Sequence, residues 1–280
     1  MTLLELIGNT EKQFRAARLH YGHGTDNAHD EAAFLVLRAL CLPFDAPPLE
    51  KELSPKAVKR IGSLIRKRIE KRIPVAYLLN EAWLADRMFY VDERVIIPRS
   101  HIAELLDRKL QPWLQRPARR ILDLCTGSGC LAILAAHAFP RAKVDAIDLS
   151  KPALAVAARN VARYRLDERI RLLRSDLFGS LEDDRYDLIV TNPPYVNAAA
   201  MRKLPPEYRH EPGIALAGGQ DGLFLVEKII SEAEARLNAG GLLVCEIGDG
   251  RRALERAYPG ARFVWPETAA GAGQVFILQP

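Results

Sequence analysis

Arg120-Ile121-Leu122-Asp123-Leu124 runs straight into Cys125-Thr126-Gly127-Ser128-Gly129, and that into Cys130-Leu131-Ala132-Ile133-Leu134-Ala135-Ala136. The first segment reads as a strand covered on both faces, because it is apolar without alternation. The second is a glycine turn, in which the backbone can come close to a ligand. The third is an apolar helix, whose first amides carry a positive partial charge. Downstream the alternation continues. Strand Lys143–Asp148 leads into helix Pro152–Tyr164, and strands Ile170–Ser175 and Tyr186–Thr191 follow. Helix Leu223–Leu237 and strand Leu242–Ile247 come next, and strands Arg262–Trp265 and Val275–Leu278 close the chain. This order predicts an α/β fold, a mostly parallel sheet with helices on both faces. Such sheets bind ligands beyond the carboxyl ends of their strands.

One of those ends carries the chemistry. Tyr186–Thr191 is followed by Asn192-Pro193-Pro194-Tyr195. Two prolines remove two backbone donors and restrict φ, and the first also restricts Asn192. The turn is therefore stiff, and its carbonyls are free. The Asn192 side-chain oxygen and the Pro193 carbonyl make two acceptors, which suit the two N–H bonds of a planar NH2 group. The Tyr195 ring can pack on that plane. Asn192, Pro193, Pro194 and Tyr195 are the candidate catalytic residues.

The glycine turn points to a nucleotide-like cofactor. Gly127, Gly129 and Ala132 fit the dinucleotide pattern, and Asp148, ending the second strand, can accept from ribose hydroxyls in a nicotinamide or an adenosine ligand. Asp123 separates the two: a carboxylate so near the first glycine crowds a pyrophosphate but suits an ammonium, such as that of a methionine moiety. The alternative reading of Asp123 is a plain helix or turn residue. Asp176 of Ser175-Asp176-Leu177-Phe178 can accept from an adenine amine, with Leu177 or Phe178 over the ring. Together these residues indicate S-adenosylmethionine, with S-adenosylhomocysteine as product.

Residues 1–80 read as helical. Ser54-Pro55 opens a helix with Ser as cap and Pro in the first turn. Its apolar stripe is Val58, Ile61, Ile65 and Ile69, and residues 56–72 carry eight basic side chains against Glu70 alone. That face is either solvated or a docking surface for an anionic partner such as RNA. Residues 83–97 change to a strand period and read as a hairpin. Glu211 following Arg209 forms a surface ion pair or shapes a substrate loop. His20, His23 and His29 are metal candidates, but a packed loop accounts for them more simply.

The chain has 280 residues, 40 basic against 35 acidic, for a net charge of +5, too mild to mark a nucleic-acid binder by itself. It contains no apolar run of membrane-spanning length and no basic-then-apolar leader, so a cytoplasmic location is expected. Its four cysteines have no zinc spacing and read as reduced thiols.

With these motifs placed, the chain resembles the glutamine N5-methyltransferase family (HemK/PrmC/PrmB), and within it the PrmB branch, over nearly its whole length. The matching segments are Tyr21–Asn27 with Asp30-Glu31, Arg72–Leu78, Phe89–Val95, Ile97–Ser100, Asp123–Cys130 and Tyr208–Pro212. The resemblance implies a class I S-adenosylmethionine-dependent methyltransferase, Rossmann-like, with a mostly parallel seven-stranded sheet. It divides the chain into a helical substrate-docking domain at 1–81, a β-hairpin linker at 82–99 and a catalytic domain at 100–280. It implies methyl transfer to a glutamine side-chain amide in ribosomal protein L-three of the large (50S) subunit, free or in an assembling particle. The helix at 56–72 would then contact rRNA. The alternatives are a peptide release factor as substrate or, since adenine also carries a planar NH2, an adenine-N6 nucleic-acid methyltransferase; no DNA or membrane partner is expected. Cofactor contacts are implied for Asp123, Cys125, Thr126, Gly127, Ser128, Gly129, Asp148, Leu149, Asp176, Leu177, Asn192 and Arg99, with no metal. Two departures stand out. His101 occupies a proline position, and Ala270–Gln274 replaces a more acidic stretch.

Overall fold

The structure, a computed structural model, describes residues 1–269 and 271–279; Ala270, in the second departure, lies outside the described residues. Four helices come first: α1 (Leu3–Ala16), α2 (Ala28–Ala39), α3 (Pro55–Lys71) and α4 (Val75–Leu79). Their starts follow from their caps. Thr2 and Glu5 form a reciprocal capping box on α1, and the Asn27 and Ser54 side chains accept from Asp30 and Ala57 amides to open α2 and α3. The first three helices bury Leu3, Phe14, Leu35, Val36 and Ile61 against one another.

The basic face of α3 is smaller than the sequence suggests. Arg68 is fully buried, paired with Glu31 at 2.7 Å and Glu207 at 3.2 Å, and Arg72 reaches Glu207 at 3.4 Å. The exposed cations are Lys56, Lys59, Arg60, Arg66, Lys67 and Lys71. Two short strands follow, β1 (Ala82–Leu84) and β2 (Arg87–Phe89). The turn between them puts Ala85 and Asp86 at φ +48° and +55°, as a two-residue hairpin requires. The expected strand period beyond Phe89 does not become a strand: Val91, Val95 and Ile97 are buried in a connector that turns at Glu93-Arg94, and Tyr77 Oη donates to the Val95 carbonyl at 2.5 Å.

Beyond α5 (Ile102–Asp107) the elements alternate as predicted: β3 (Arg120–Leu124), α6 (Cys130–Ala138), β4 (Lys143–Asp148), α7 (Lys151–Arg163), β5 (Ile170–Arg174) and β6 (Tyr186–Thr191). Then come α8 (Ala198–Met201), α9 (Phe224–Arg236), β7 (Leu237–Glu246), α10 (Arg251–Ala257), β8 (Glu267–Thr268), β9 (Gly271–Ala272) and β10 (Val275–Leu278). The main sheet has the order β10-β7-β6-β3-β4-β5, parallel except for β10. Two cores, centred on the Ala132 and Ile189 sides, cover its faces.

Six strands, rather than seven, form this sheet among the described residues. Arg262–Trp265 contributes one bridge, Val264 to Ile277. The next hydrogen-bonding position on that edge would be 266, a proline with no N–H, so the ladder stops. β7 starts five residues early, at Leu237, because a register irregularity carries the chain from Tyr186↔Leu237 to Leu188↔Leu242 around Gly240-Gly241. The chain builds β3, β4 and β5 in one direction and returns to place β6 on the other side of β3. The switch point therefore falls between β3 and β6, where a ligand crevice opens. Among the described residues no helix is long and apolar enough to cross a membrane.

Candidate active site at the switch point

The two motifs found in the sequence lie at the ends of neighbouring strands. One cleft is lined by Cys125 and Gly127 from the end of β3, Asp148 and Leu149 from β4, Ser175, Asp176 and Leu177 after β5, and Asn192 and Pro194 after β6. Pro212, Ile214 and Ala215 close it from a loop. Asp148 is fixed by two backbone amides, Gly127 N–H to Oδ2 at 2.9 Å and Ser150 N–H to Oδ1 at 2.8 Å. Burial pushes its carboxyl above the usual range against those two bonds.

Asp123 does not line the cleft. It is fully buried, and its Oδ2 accepts from Thr126 Oγ1 at 2.5 Å and from Ala132 N–H at 2.9 Å, so it staples the turn to the first turn of α6. Oδ1 is buried with no donor, and burial pushes the carboxyl up to about 7. Thr126 and Ser128 are also buried outside the lining; the Ser128 carbonyl accepts from Asn160 at 2.8 Å. Gly129 is the hinge: at φ +79°, a Cβ there would sit 3.2 Å from Ala157 Cβ. Asn160 also exchanges two bonds with the Tyr90 backbone, tying the hairpin connector to the glycine turn.

Arg99, implied as a cofactor contact, is paired with a buried carboxylate and is not among the residues that line the cleft. Its guanidinium makes a two-pronged pair with buried Glu211, at 2.6 and 2.7 Å, and lies 5.4 Å from the Tyr208 ring centre. Glu211 also accepts from Ile97 N–H at 2.9 Å. The partner of Glu211 is thus Arg99 and not Arg209, and the pair is not a surface one. The three histidines do not converge. His29 pairs with Glu11 on an exposed face, while His23 is buried 4.3 Å from the Tyr208 ring. All four cysteines are free thiols. Burial pushes the Cys125 thiol far up, so it lines the cleft as a small neutral group.

The Asn192–Tyr195 turn is cradled by glycines that the sequence pattern did not single out. A Cβ on Gly218 would lie 2.6 Å from Tyr195 Cα, one on Gly222 2.4 Å from the Tyr195 carbonyl oxygen, and one on Gly248 2.7 Å from Tyr195 Cε2. Each is closer than any side chain permits. The sequence signal for Gly248 was available: it follows Glu246, a carboxylate ending the apolar run Leu242–Cys245, as Asp148 ends its own strand. The Asn192 side chain makes no hydrogen bond among the described residues and lines the cleft, so its carboxamide is free to bind a ligand.

Comparison with known proteins agrees with this geometry. Residues 103–204 match the family model "Methyltransferase small domain". The catalytic domain of hMettl16, bound to a MAT2A 3′UTR hairpin, superposes with TM-score 0.56 at 15% identity, covering 81% of this chain and 82% of that one. A methyltransferase from Pyrococcus furiosus gives 0.51 at 17% identity, over 81% of this chain and 98% of its own. Both likenesses establish the Rossmann-like fold. The curated relatives are far nearer. The ribosomal protein uL3 glutamine methyltransferase of Burkholderia pseudomallei is 51% identical over 99% of this chain and 94% of its own. Those of Bordetella pertussis and Neisseria meningitidis serogroup B are 52% and 50% identical, over 99% of this chain and 94% and 92% of theirs. Identity at that level from end to end makes this chain a member of the ribosomal protein uL3 glutamine methyltransferase family.

Proposed function

We propose that the protein methylates the side-chain amide nitrogen of a glutamine in ribosomal protein uL3, using S-adenosylmethionine. The observation that carries this reading is the free Asn192 carboxamide in the same cleft as Cys125, Gly127, Asp148 and Asp176. The residues present fit the cofactor. Asp148 and Asp176 offer acceptors for ribose and adenine, and Leu149 and Leu177 offer apolar walls. When bound, the cofactor supplies an activated methyl group attached to a positively charged sulfur.

The chain's own residues then act by placement. An amide nitrogen is a weak nucleophile, because its lone pair is shared with the carbonyl. The Asn192 oxygen and the Pro193 carbonyl accept its two N–H bonds, turn the nitrogen towards the methyl carbon and stabilise the positive charge that builds on it. Tyr195 packs against the amide plane. Once methylated, the amide nitrogen would lose its extra proton to water. Orientation of this kind supplies at most about 7–11 kcal/mol, and fixed dipoles add to it.

Residues 1–81 serve as the docking domain, 82–99 as the linker and 100–280 as the catalytic domain. The six exposed cations of α3 face rRNA when the substrate is an assembling large subunit. The test supplies methyl-labelled cofactor with undermethylated uL3, release factor or DNA in separate reactions. Label recovered as methylamine after acid hydrolysis of uL3 is the expected result. Label in release factor alone would move the substrate assignment, and label in DNA would replace the function.

A further inference from the structure

One buried carboxylate beside the cleft has no part in the chemistry above. Glu246 ends β7 and is 2% exposed. No ion pair of the described residues includes it, yet both oxygens are used. Oε1 accepts from the Tyr195 hydroxyl at 3.1 Å. Oε2 accepts from the Ser100 hydroxyl at 2.6 Å and from the His101 N–H at 3.0 Å. A carboxylate taken out of water without a counter-charge is costly, and an apolar residue at this strand end would avoid that cost. What Glu246 holds is one end of the ring that the acceptor amide must lie on. Gly248, two residues on, touches the same ring so closely that a Cβ there would be 2.7 Å from Cε2.

The backbone of Tyr195 is set by its prolines and by Gly218 and Gly222, but a tyrosine on a turn still has two side-chain torsions to settle. Contact with Gly248 limits one, and the hydroxyl bond to Glu246 fixes the other. We propose that Glu246 is a positioning residue for methyl transfer, holding the tilt of the Tyr195 ring and so the plane of the acceptor amide. This rests on the reading of the Asn192–Tyr195 turn as the acceptor site. Segment 97–101 is a shared bracket. Ile97 and Arg99 hold Glu211 of the cleft-closing loop, while Ser100 and His101 hold Glu246. His101 contributes through its N–H, which a proline in that position would lack.

A double-mutant cycle tests the role. Single-turnover rate, KM for uL3 and affinity for S-adenosylhomocysteine are measured for wild type, Tyr195→Phe, Glu246→Ala and the double variant. Each single change is expected to slow transfer about tenfold, with KM and cofactor affinity within about twofold, and the double variant is expected to be no slower than the slower single. Glu246→Gln, which keeps an acceptor oxygen, should recover part of the loss. It replaces Glu246→Ala in the cycle if the alanine variant does not fold. Losses that multiply in the double variant, or a Tyr195→Phe protein as fast as wild type, would overturn the positioning role. Absence of transfer by wild type would instead overturn the function on which it rests.

Discussion

The Thr191 hydroxyl donates to the Leu124 carbonyl at 2.9 Å in a fully buried setting, and this bond joins the strand end that carries the acceptor turn to the one that carries the glycine turn. The two halves of the cleft are thus fixed to each other at their base. Thr191→Val keeps the shape and removes the donor. A loss of about 1–3 kcal/mol in denaturant unfolding is expected, together with weaker cofactor binding as the two turns loosen. Unchanged stability and affinity would mean that the strand ladder alone sets the spacing.

Asn192→Ala removes a side chain that bonds to nothing in the protein, so stability should hold. Its cost should fall on the transition state. By analogy with the loss of a single oxyanion donor, turnover should drop about a hundredfold to a thousandfold, or about 3–4 kcal/mol. A drop below about tenfold, with cofactor affinity intact, would remove Asn192 from the acceptor role.

Gly222→Ala is expected to be worse than Gly248→Ala. At 222 the added carbon meets backbone, 2.4 Å from the Tyr195 carbonyl oxygen, at φ +89°. At 248 it meets the edge of a side-chain ring, which can move where backbone cannot. The first change should therefore reduce both folding and activity, and the second should chiefly reduce turnover. Thermal midpoints and rates of the two variants, measured together, check this order.

Arg68 ties the helical region to the loop that closes the cleft, because Glu207 lies five residues before Pro212. Arg68→Leu leaves Glu31 buried without its cation and Glu207 with Arg72 alone. A destabilisation of about 3–5 kcal/mol follows from breaking one side of such a pair. In Arg68→Leu/Glu31→Gln/Glu207→Gln, which removes the stranded charges, most of that loss should return in urea unfolding.

The order of strands and helices and both cleft motifs were legible because they depend on local patterns: apolar runs, glycine, proline and capping residues. Arg68 shows where such reading fails. On its helix it looks like one more solvated cation, and only the fold brings in Glu207, 139 positions away. Arg99 is similar: its Glu211 partner is 112 positions off, and no local pattern points to it. The seventh strand failed for a local reason, Pro266, that was present in the sequence. The glycines around Tyr195 come from two separate stretches, 218–222 and 248, and no spacing rule joins them.

His23 supplies a pH dependence that can be isolated. Its ring is 5% exposed and neither nitrogen has a hydrogen-bond partner. Burial, aided by Arg99, Arg68 and His20 and opposed by Glu211, lowers its pKa from 6.5 to about 4. Above about pH 6.5 the ring is neutral in both the folded and unfolded states and does not affect the balance. Below that the unfolded chain takes up a proton that the folded one refuses, so stability falls as pH drops and levels off under about 4. The full gap is worth on the order of 3 kcal/mol. Asp123 acts in the opposite sense, its carboxyl being raised to about 7, so the informative quantity is a difference between proteins. His23→Phe keeps an aromatic ring against Tyr208 and cannot titrate. Between about pH 7.5 and pH 5 wild type should lose about 2 kcal/mol more than this variant in urea unfolding. Equal losses would mean that water or Glu211 satisfies the protonated ring inside the fold.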